Sequence, residues 1–191
     1  MSASQSSGLR NATSGLLGRL GHDRRGFAAV EFAMVVPIMI ALFLGAVEFS
    51  MALSYDRRVT SVSSATADLV AQEEEVNDAY LDDVMEIAKS LMPPDADLAS
   101  LDIKLVSVVA DADSNVTVAW SYNRAGGEPY AKDSAYNELP DDLVQPLTSI
   151  IVSEVSYTYN PPVGHYITGN INLSERFFLR PRKSLQVSKV D

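Results

Sequence analysis

The sequence predicts an α+β protein in which one long N-terminal helix continues into a small domain with an antiparallel sheet of about four strands. Two observations predict the helix: an apolar run extends from Gly26 to Leu53, and helical spacing of apolar residues continues beyond it. A third predicts the sheet, because alternating segments rich in Val and Ile, separated by turn residues, occupy the second half of the chain.

The apolar run is long enough to cross a bilayer. Phe32–Val47 carries no charge, and apolar flanks extend it to about 27 residues, whereas a spanning helix needs about 20. We therefore assign residues 1–26 to a leader, residues 27–54 to a transmembrane helix and residues 55–191 to an outer α+β domain. A buried helix of a globular core and a secretory signal peptide are the alternatives. The run is too apolar on all faces for the first, and the leader is too long for the second.

Charges on the two sides of the run predict its orientation. Four arginines precede it against one acid, whereas the chain after Leu53 carries 11 basic and 22 acidic residues. Basic flanks stay in the cytoplasm, so the leader is expected to be cytoplasmic and the C-terminal domain extracytoplasmic. Arg57 and Arg58 weaken this asymmetry without reversing it.

Two helices are expected before the sheet. Apolar spacing continues the first helix to Gln72, and Glu73–Glu75 is expected to be a solvated face or a helix break. Asn77 is predicted to cap a second helix that ends at Met92. The apolar face of this second helix is predicted to contain Tyr80, Val84, Ile87 and Leu91.

The predicted strands are Leu101–Ala110, Asn115–Tyr122, Ile150–Tyr159 and Leu173–Leu179. The polar turn Asp111–Ser114 predicts that the first two form a hairpin. Strict alternation on the second strand predicts one face made of Val116, Val118, Trp120 and Tyr122.

Two segments near these strands carry further expectations. Pro140–Leu147 is predicted to form a short helix, and residues 164–171 a turn or short strand. The basic cluster Arg180–Lys183 is expected either to contact an acidic neighbour or lipid headgroups, or to be a solvated tail.

Composition excludes several classes of function. The net charge is −10, which argues against a nucleic-acid partner because phosphate contacts need a basic face. Cysteine is absent, and the two histidines, His22 and His165, are expected on opposite sides of the membrane. No nucleophile motif, phosphate loop or dinucleotide fingerprint is present. We therefore predict no enzyme activity, no catalytic residue, no cofactor and no metal site.

The start of the apolar run carries a more specific pattern. Arg24-Arg25-Gly26 ends a basic leader, and Glu31 lies five residues after the glycine. A carboxylate in lipid costs about 3 kcal/mol, so Glu31 is a candidate functional residue. Its alternative is an interfacial position from which the side chain reaches water. Pro37 removes one helix hydrogen bond and is expected to bend the helix.

Residues 24–68 resemble the TadE-like segment of Tad (tight adherence) pilus proteins. The resemblance rests on Arg-Arg-Gly, Ala-Val-Glu-Phe, Pro37, Gly45, Glu48-Phe49 and Arg58-Val59. It implies that a prepilin peptidase cleaves the Gly26–Phe27 bond, and that Glu31 then pairs with the new N-terminal amine of a neighbouring subunit. The length of the chain and Phe32 in place of tyrosine depart from the short major Tad pilins.

The resemblance implies a minor pilin or pseudopilin of a Tad/Flp pilus, serving adhesion and secretion. Its expected partners are the membrane, the prepilin peptidase, other Tad pilus subunits and the assembly platform. It is expected in the bacterial inner membrane, with a single span and a periplasmic domain, and in the extracellular pilus after assembly. The alternative is a membrane-anchored periplasmic binding or sensor domain whose leader is never cleaved.

Overall fold

The computed structural model describes residues 24–162 and 169–190. The predicted leader up to Asp23, and most of the turn predicted at residues 164–171, lie outside these residues. The described elements are α1 (Arg24–Ala71), β1 (Glu75–Val76), α2 (Asp78–Ser90), β2 (Leu101–Ala110), β3 (Val116–Asn123), β4 (Ser149–Tyr159), β5 (Ile171–Leu179) and β6 (Ser188–Lys189). The chain divides into two compact units between Val47 and Glu48.

The structure confirms the predicted continuous first helix. α1 is 48 residues long and ends at Ala71, two residues before the acidic run Glu73–Glu75 begins. Its part in the second unit buries one face, with Tyr55, Val59, Val62, Thr66 and Val70 spaced three and four residues apart.

A four-stranded sheet in the order β3-β2-β4-β5, antiparallel at every pairing, confirms the predicted α+β class. Alternate residues of β2 and β4, among them Ile103, Leu105, Ile151 and Val155, face a core that also contains side chains of α1 and α2. The helices therefore cover one face of the sheet.

Three buried hydroxyl groups join α1 to the centre of the sheet. Ser63 Oγ donates to the carbonyl oxygen of Ser153 at 3.0 Å, and Thr66 Oγ1 lies 2.7 Å from Ser153 Oγ. All three residues are fully buried. Because small side chains let the helix approach the strand closely, this hydroxyl cluster fixes the position of α1 along β4.

The predicted single face of the second hairpin strand is wrong, because β3 contains a bulge. Ser107 pairs with Trp120 but Val108 pairs with Val118, so Ala119 has no partner in β2. One extra residue reverses the alternation. Trp120 and Tyr122 therefore join the core beneath the helices, whereas Val116 and Val118 pack on the opposite face.

The predicted cap of α2 is confirmed, but its predicted apolar face is only partly right. Asn77 Oδ1 accepts a hydrogen bond from the backbone N–H of Tyr80 at 2.9 Å. The buried residues are Leu81, Val84, Met85 and Ala88, whereas Ile87 is exposed. The buried face of α2 is therefore rotated about the helix axis relative to the predicted face.

The basic cluster near the C-terminus belongs to a strap, residues 180–190, that contacts the chain's own helices. Arg182 forms an ion pair with Asp68, and its backbone N–H donates to the carbonyl of Ala71 at the end of α1. Lys183 lies 3.9 Å from Glu73. β6 pairs in parallel with β1, a pairing that the sequence did not predict. The strap thus supplies a backbone cap and positive charge to a helix C-terminus.

Two buried contacts anchor the strap further along. Trp120 Nε1 donates to the carbonyl oxygen of Val187 at 2.7 Å, and Val187 itself is fully buried in the core. Lys189 lies 3.0 Å from Asp78 and 5.5 Å from the ring centroid of Tyr122. The strap is therefore part of the folded domain.

The hydroxyl cluster generates a stability prediction. Thr66→Val leaves the buried Ser153 hydroxyl without its side-chain partner, and we expect a loss of about 1–3 kcal/mol of unfolding free energy. Urea unfolding of the full chain in detergent, followed by fluorescence of Trp120, the only tryptophan, measures it. The control is Thr60→Val, which removes an exposed hydroxyl bound to the Asp56 carbonyl of the same helix. Equal losses in both variants would contradict the role of the cluster.

Candidate functional site in the apolar helix

The N-terminal part of α1 exposes a largely apolar surface. The exposed large apolar side chains up to Leu53 include Phe27, Val30, Phe32, Met34, Ile38, Met39, Leu42, Phe43, Phe49 and Met51. Isolated exposed apolar residues are common on soluble proteins, but a continuous surface of this size needs lipid or partner helices to cover it. α1 is the one helix among the described residues that is long and apolar enough to cross a membrane.

The predicted processing residues lie in the first turn of α1. The helix begins at Arg24, so the Gly26–Phe27 bond is helical rather than part of an extended leader. No atom lies within 4 Å of where a Cβ on Gly26 would stand, and the Phe27 side chain is 76% exposed. Packing among the residues that the structure describes therefore does not require glycine at this position.

Glu31 lies one helical turn after Phe27. The spacing of four residues places both side chains on the same side of α1, with a rise of about 6 Å between them. Glu31 is exposed, and it forms no ion pair with any side chain that the structure describes from residue 26 onwards. The carboxylate thus stands on the apolar surface, where lipid or a neighbouring helix would meet it.

Pro37 lies within α1, and the helix continues through it. Proline has no N–H group, so the carbonyl of Ala33, four residues earlier, lacks its usual intrahelical donor. The predicted bend at this position stays a prediction. Gly45, like Gly26, has open space where a Cβ would be, so its small surface is free to meet another helix.

The outer domain contains a polar cluster that the sequence did not predict. Glu154, on the sheet face opposite the helices, accepts hydrogen bonds from the Tyr130 hydroxyl at 2.9 Å and from the Tyr136 hydroxyl at 2.7 Å. Arg176 on β5 forms an ion pair with Glu138 and lies 3.8 Å from Glu154. No sequence motif links these residues, because strand pairing and a long loop bring them together.

This cluster holds the loop between β3 and β4 against the sheet. Tyr136 packs with Val118 and Val152, and the loop backbone pairs with β3 through Thr117 and Ala135. The short helix predicted at Pro140–Leu147 is a single 3-10 turn, Asp141–Leu143, in the same loop. The part of the chain that the structure describes contains no cluster of acidic or histidine side chains suited to a metal ion. Because the hydrogen bonds from Tyr130 and Tyr136 to Glu154 hold the loop on the sheet, we interpret them as structural.

A long exposed apolar helix that precedes a compact α+β unit suggests a single membrane anchor among the described helices. Residues 26–68 match the family model described as "TadE-like protein". The chain therefore carries a TadE-like domain over these residues, as the resemblance predicted, and TadE-like proteins are a Tad pilus assembly family. No curated protein and no solved structure matches the chain.

The match covers α1 from Gly26 onwards and ends before the last residues of that helix. It includes Gly26, Phe27, Glu31 and Pro37, whereas the sheet, α2 and the strap lie outside it. The family relation therefore concerns the anchor helix, and the outer domain has to be interpreted from its own contacts.

The tyrosines beside Glu154 generate a pH prediction. Burial, then the hydrogen bond to Glu154 and its charge, raise the pKa of Tyr130 from 10.0 to about 12, and the same causes raise the pKa of Tyr136. The folded state holds these protons more tightly than the unfolded state does. The two tyrosine hydroxyl groups therefore make their full contribution to the free energy of unfolding below pH 10, and this contribution is lost as the pH rises towards 12.

Tyr136→Phe tests this contribution. At pH 9 we expect the variant to be less stable by about 1–2 kcal/mol, because Glu154 loses a donor. Between pH 9 and 11.5 its stability should fall less steeply than that of the wild type, since one raised pKa is gone. Urea unfolding followed by far-ultraviolet circular dichroism measures both slopes. Parallel slopes would contradict the assignment.

Proposed function

We propose that this protein is a minor pilin or pseudopilin-like structural component of Tad pilus assembly. The observation that carries the proposal is the family match at residues 26–68, which begins at the glycine of the expected cleavage site and contains Glu31. The proposed leader ends at Gly26, the anchor helix covers residues 27–54, and residues 55–191 form the periplasmic domain. A structural role needs no catalytic residue and no cofactor.

The first step of the proposed pathway is hydrolysis of the Gly26–Phe27 peptide bond by a prepilin peptidase. Water adds across the bond, which leaves a carboxylate on Gly26 and a new ammonium on Phe27. The bond lies near the start of α1, and helix ends open at low cost. The exposure of Phe27 gives a peptidase access to this end of the helix.

The second step pairs Glu31 with the ammonium at Phe27 of a neighbouring subunit. A lone carboxylate in the apolar layer costs about 3 kcal/mol, and an ammonium partner lowers this cost. Pairing between subunits would shift one helix along another by about one turn, since Glu31 lies four residues after Phe27. This staggering gives each added helix a defined position in the bundle.

The third step packs the apolar helices side by side in a filament or an assembly complex. Neighbouring helices, like lipid, would cover the apolar side chains that α1 exposes. Small residues let helix backbones approach closely, and α1 supplies Ala28, Ala29, Ala33, Gly45, Ala46 and Ala52. The proposed partners are therefore other Tad pilus subunits and the assembly platform, first in the inner membrane and then in the pilus.

A second candidate function is a membrane-anchored periplasmic binding or sensor domain with an uncleaved leader. The observation that favours it is that the sheet, α2 and the strap, which make up most of the second unit, lie outside the family match. The two functions differ in their need for Glu31. An anchor helix has no use for a carboxylate on its apolar surface, whereas staggered assembly depends on it.

Glu31→Gln tests the proposed pairing. The amide keeps the size of the side chain and removes its charge, so the ammonium of the neighbouring subunit loses its partner. We expect incorporation of the protein into sheared pili or the assembly complex to fall at least about tenfold, consistent with loss of a charge pair in lipid. Quantitative immunoblotting of pilus and membrane fractions measures it.

The control for this test is Glu75→Gln, which makes the same change at an exposed position of the outer domain. It should assemble like the wild type, and both variants should reach normal levels in the membrane fraction. Normal incorporation of the Glu31→Gln protein would show that the pairing hypothesis is wrong and would favour the simple anchor.

A further inference from the structure

The outer domain contains a pocket beside the last turns of the membrane helix. It has a volume of about 590 Å³, within the range of small-molecule sites. One wall is formed by Met51, Ser54 and Tyr55 of α1, and another by Tyr157 and Tyr159 at the end of β4. The pocket therefore joins the emerging helix to the end of the central strand.

The inner wall of this pocket is aromatic. Tyr55 stacks on Tyr157, with ring centroids 5.4 Å apart and planes 8° from parallel, and it lies 4.6 Å from the ring of Tyr159. All three tyrosines are nearly fully buried. The Tyr157 hydroxyl accepts the backbone N–H of Asp97 at 3.2 Å, which ties the wall to the segment between α2 and β2.

The rim of the pocket is acidic. Asp95 and Asp97 are both exposed and line it, and no lysine or arginine is among the described residues of its wall. Asp97 is already engaged, since its carboxylate accepts the Ala99 N–H and the Ser100 hydroxyl at 3.0 Å each. Asp95 forms no ion pair with any described residue. The Tyr55 hydroxyl donates a hydrogen bond to the Asp95 carboxylate, but no described cation neutralises this carboxylate, so its charge can still attract a cationic ligand.

The charge of Asp95 acts on the aromatic wall. Burial raises the pKa of the Tyr157 hydroxyl, the Asp97 N–H opposes this rise, and the charges of Asp97 and Asp95 add to it. Burial is also the largest cause that raises the pKa of Tyr159, and the charges of Glu48 and Asp95 raise it further. The carboxylate and the rings thus share one electrostatic environment, which favours a cation.

The position of the pocket indicates where that cation comes from. Met51 and Ser54 belong to the last turn of the predicted membrane segment, residues 27–54. In a membrane-anchored chain this part of the wall lies at the depth of the lipid headgroups. Tyrosine is enriched at the same depth, because its ring is apolar and its hydroxyl is polar.

We propose that this pocket binds the primary ammonium of a phosphatidylethanolamine headgroup, with Asp95 as its counter-charge. A primary ammonium donates three hydrogen bonds and attracts aromatic rings, whereas a choline headgroup has no N–H group. Repulsion from Asp95 and Asp97 disfavours anionic lipids. The proposal rests on the membrane-anchor part of the proposed function and does not depend on leader cleavage.

The test uses the full chain purified in mild detergent. It is incubated with equal amounts of phosphatidylethanolamine, phosphatidylcholine and phosphatidylglycerol of identical acyl chains, and retained lipids are counted by native mass spectrometry. We expect the wild type to retain phosphatidylethanolamine at least about fivefold over each of the others, the size of a modest exposed charge pair. Asp95→Asn should reduce this preference to about one.

The matched control is Asp83→Asn, which makes the same change at an exposed aspartate of α2 outside the pocket wall. It should keep the wild-type preference, and circular dichroism should give the same spectrum for all three proteins. An unchanged preference in Asp95→Asn would overturn the proposal, as would equal retention of the three lipids by the wild type. A further outcome is that the protein retains glycerophosphoethanolamine but shows no preference among the three lipids. This result would show that the pocket binds an ammonium group but not a lipid, and it would also overturn the proposal.

Failure of this test is separable from failure of the proposed function. A chain that enters vesicles but shows no lipid preference contradicts only the pocket assignment. A chain that remains in solution with vesicles of any composition contradicts the membrane anchor on which both proposals rest.

Discussion

The structure depends on one helix that has to satisfy two different surroundings. Up to Val47, α1 exposes apolar side chains on every side. From Tyr55 onwards the same helix buries one face against a sheet and exposes serines, threonines and charged residues on the other. The helix hydrogen bonds are the same in both parts, so the surroundings of the side chains distinguish the anchor from the domain.

Contacts within the outer domain hold the C-terminal end of α1 in place. The hydroxyl cluster of Ser63, Thr66 and Ser153 joins it to the central strand without a bulky side chain between them. The strap then caps the last carbonyls of the helix and closes the core through Val187. The end of the helix is therefore fixed to the sheet by both side-chain and backbone hydrogen bonds.

Much of this fold could be predicted from the sequence, because helix length, the Asn77 cap and the strands depend on local patterns. The division of β3 between the two faces of the sheet could not be predicted. A single bulge at Ala119 reverses the alternation of side chains that the sequence pattern implies. The strap escaped prediction because its partners, Asp68 and Val76, lie more than one hundred residues away. The Glu154 cluster and the tyrosine pocket form through strand pairing and long loops, whereas Gly26 and Glu31 were visible because they follow one another in the chain.

We propose above that the chain enters the pilin pathway through cleavage at Gly26. The most direct test is mass spectrometry of the mature N-terminus, in cells with and without the prepilin peptidase. We expect a chain that begins at Phe27 only when the peptidase is present. An intact leader under both conditions would contradict it and leave an anchored periplasmic domain, and a chain beginning at Leu53 would show that the apolar helix is a cleaved signal rather than an anchor.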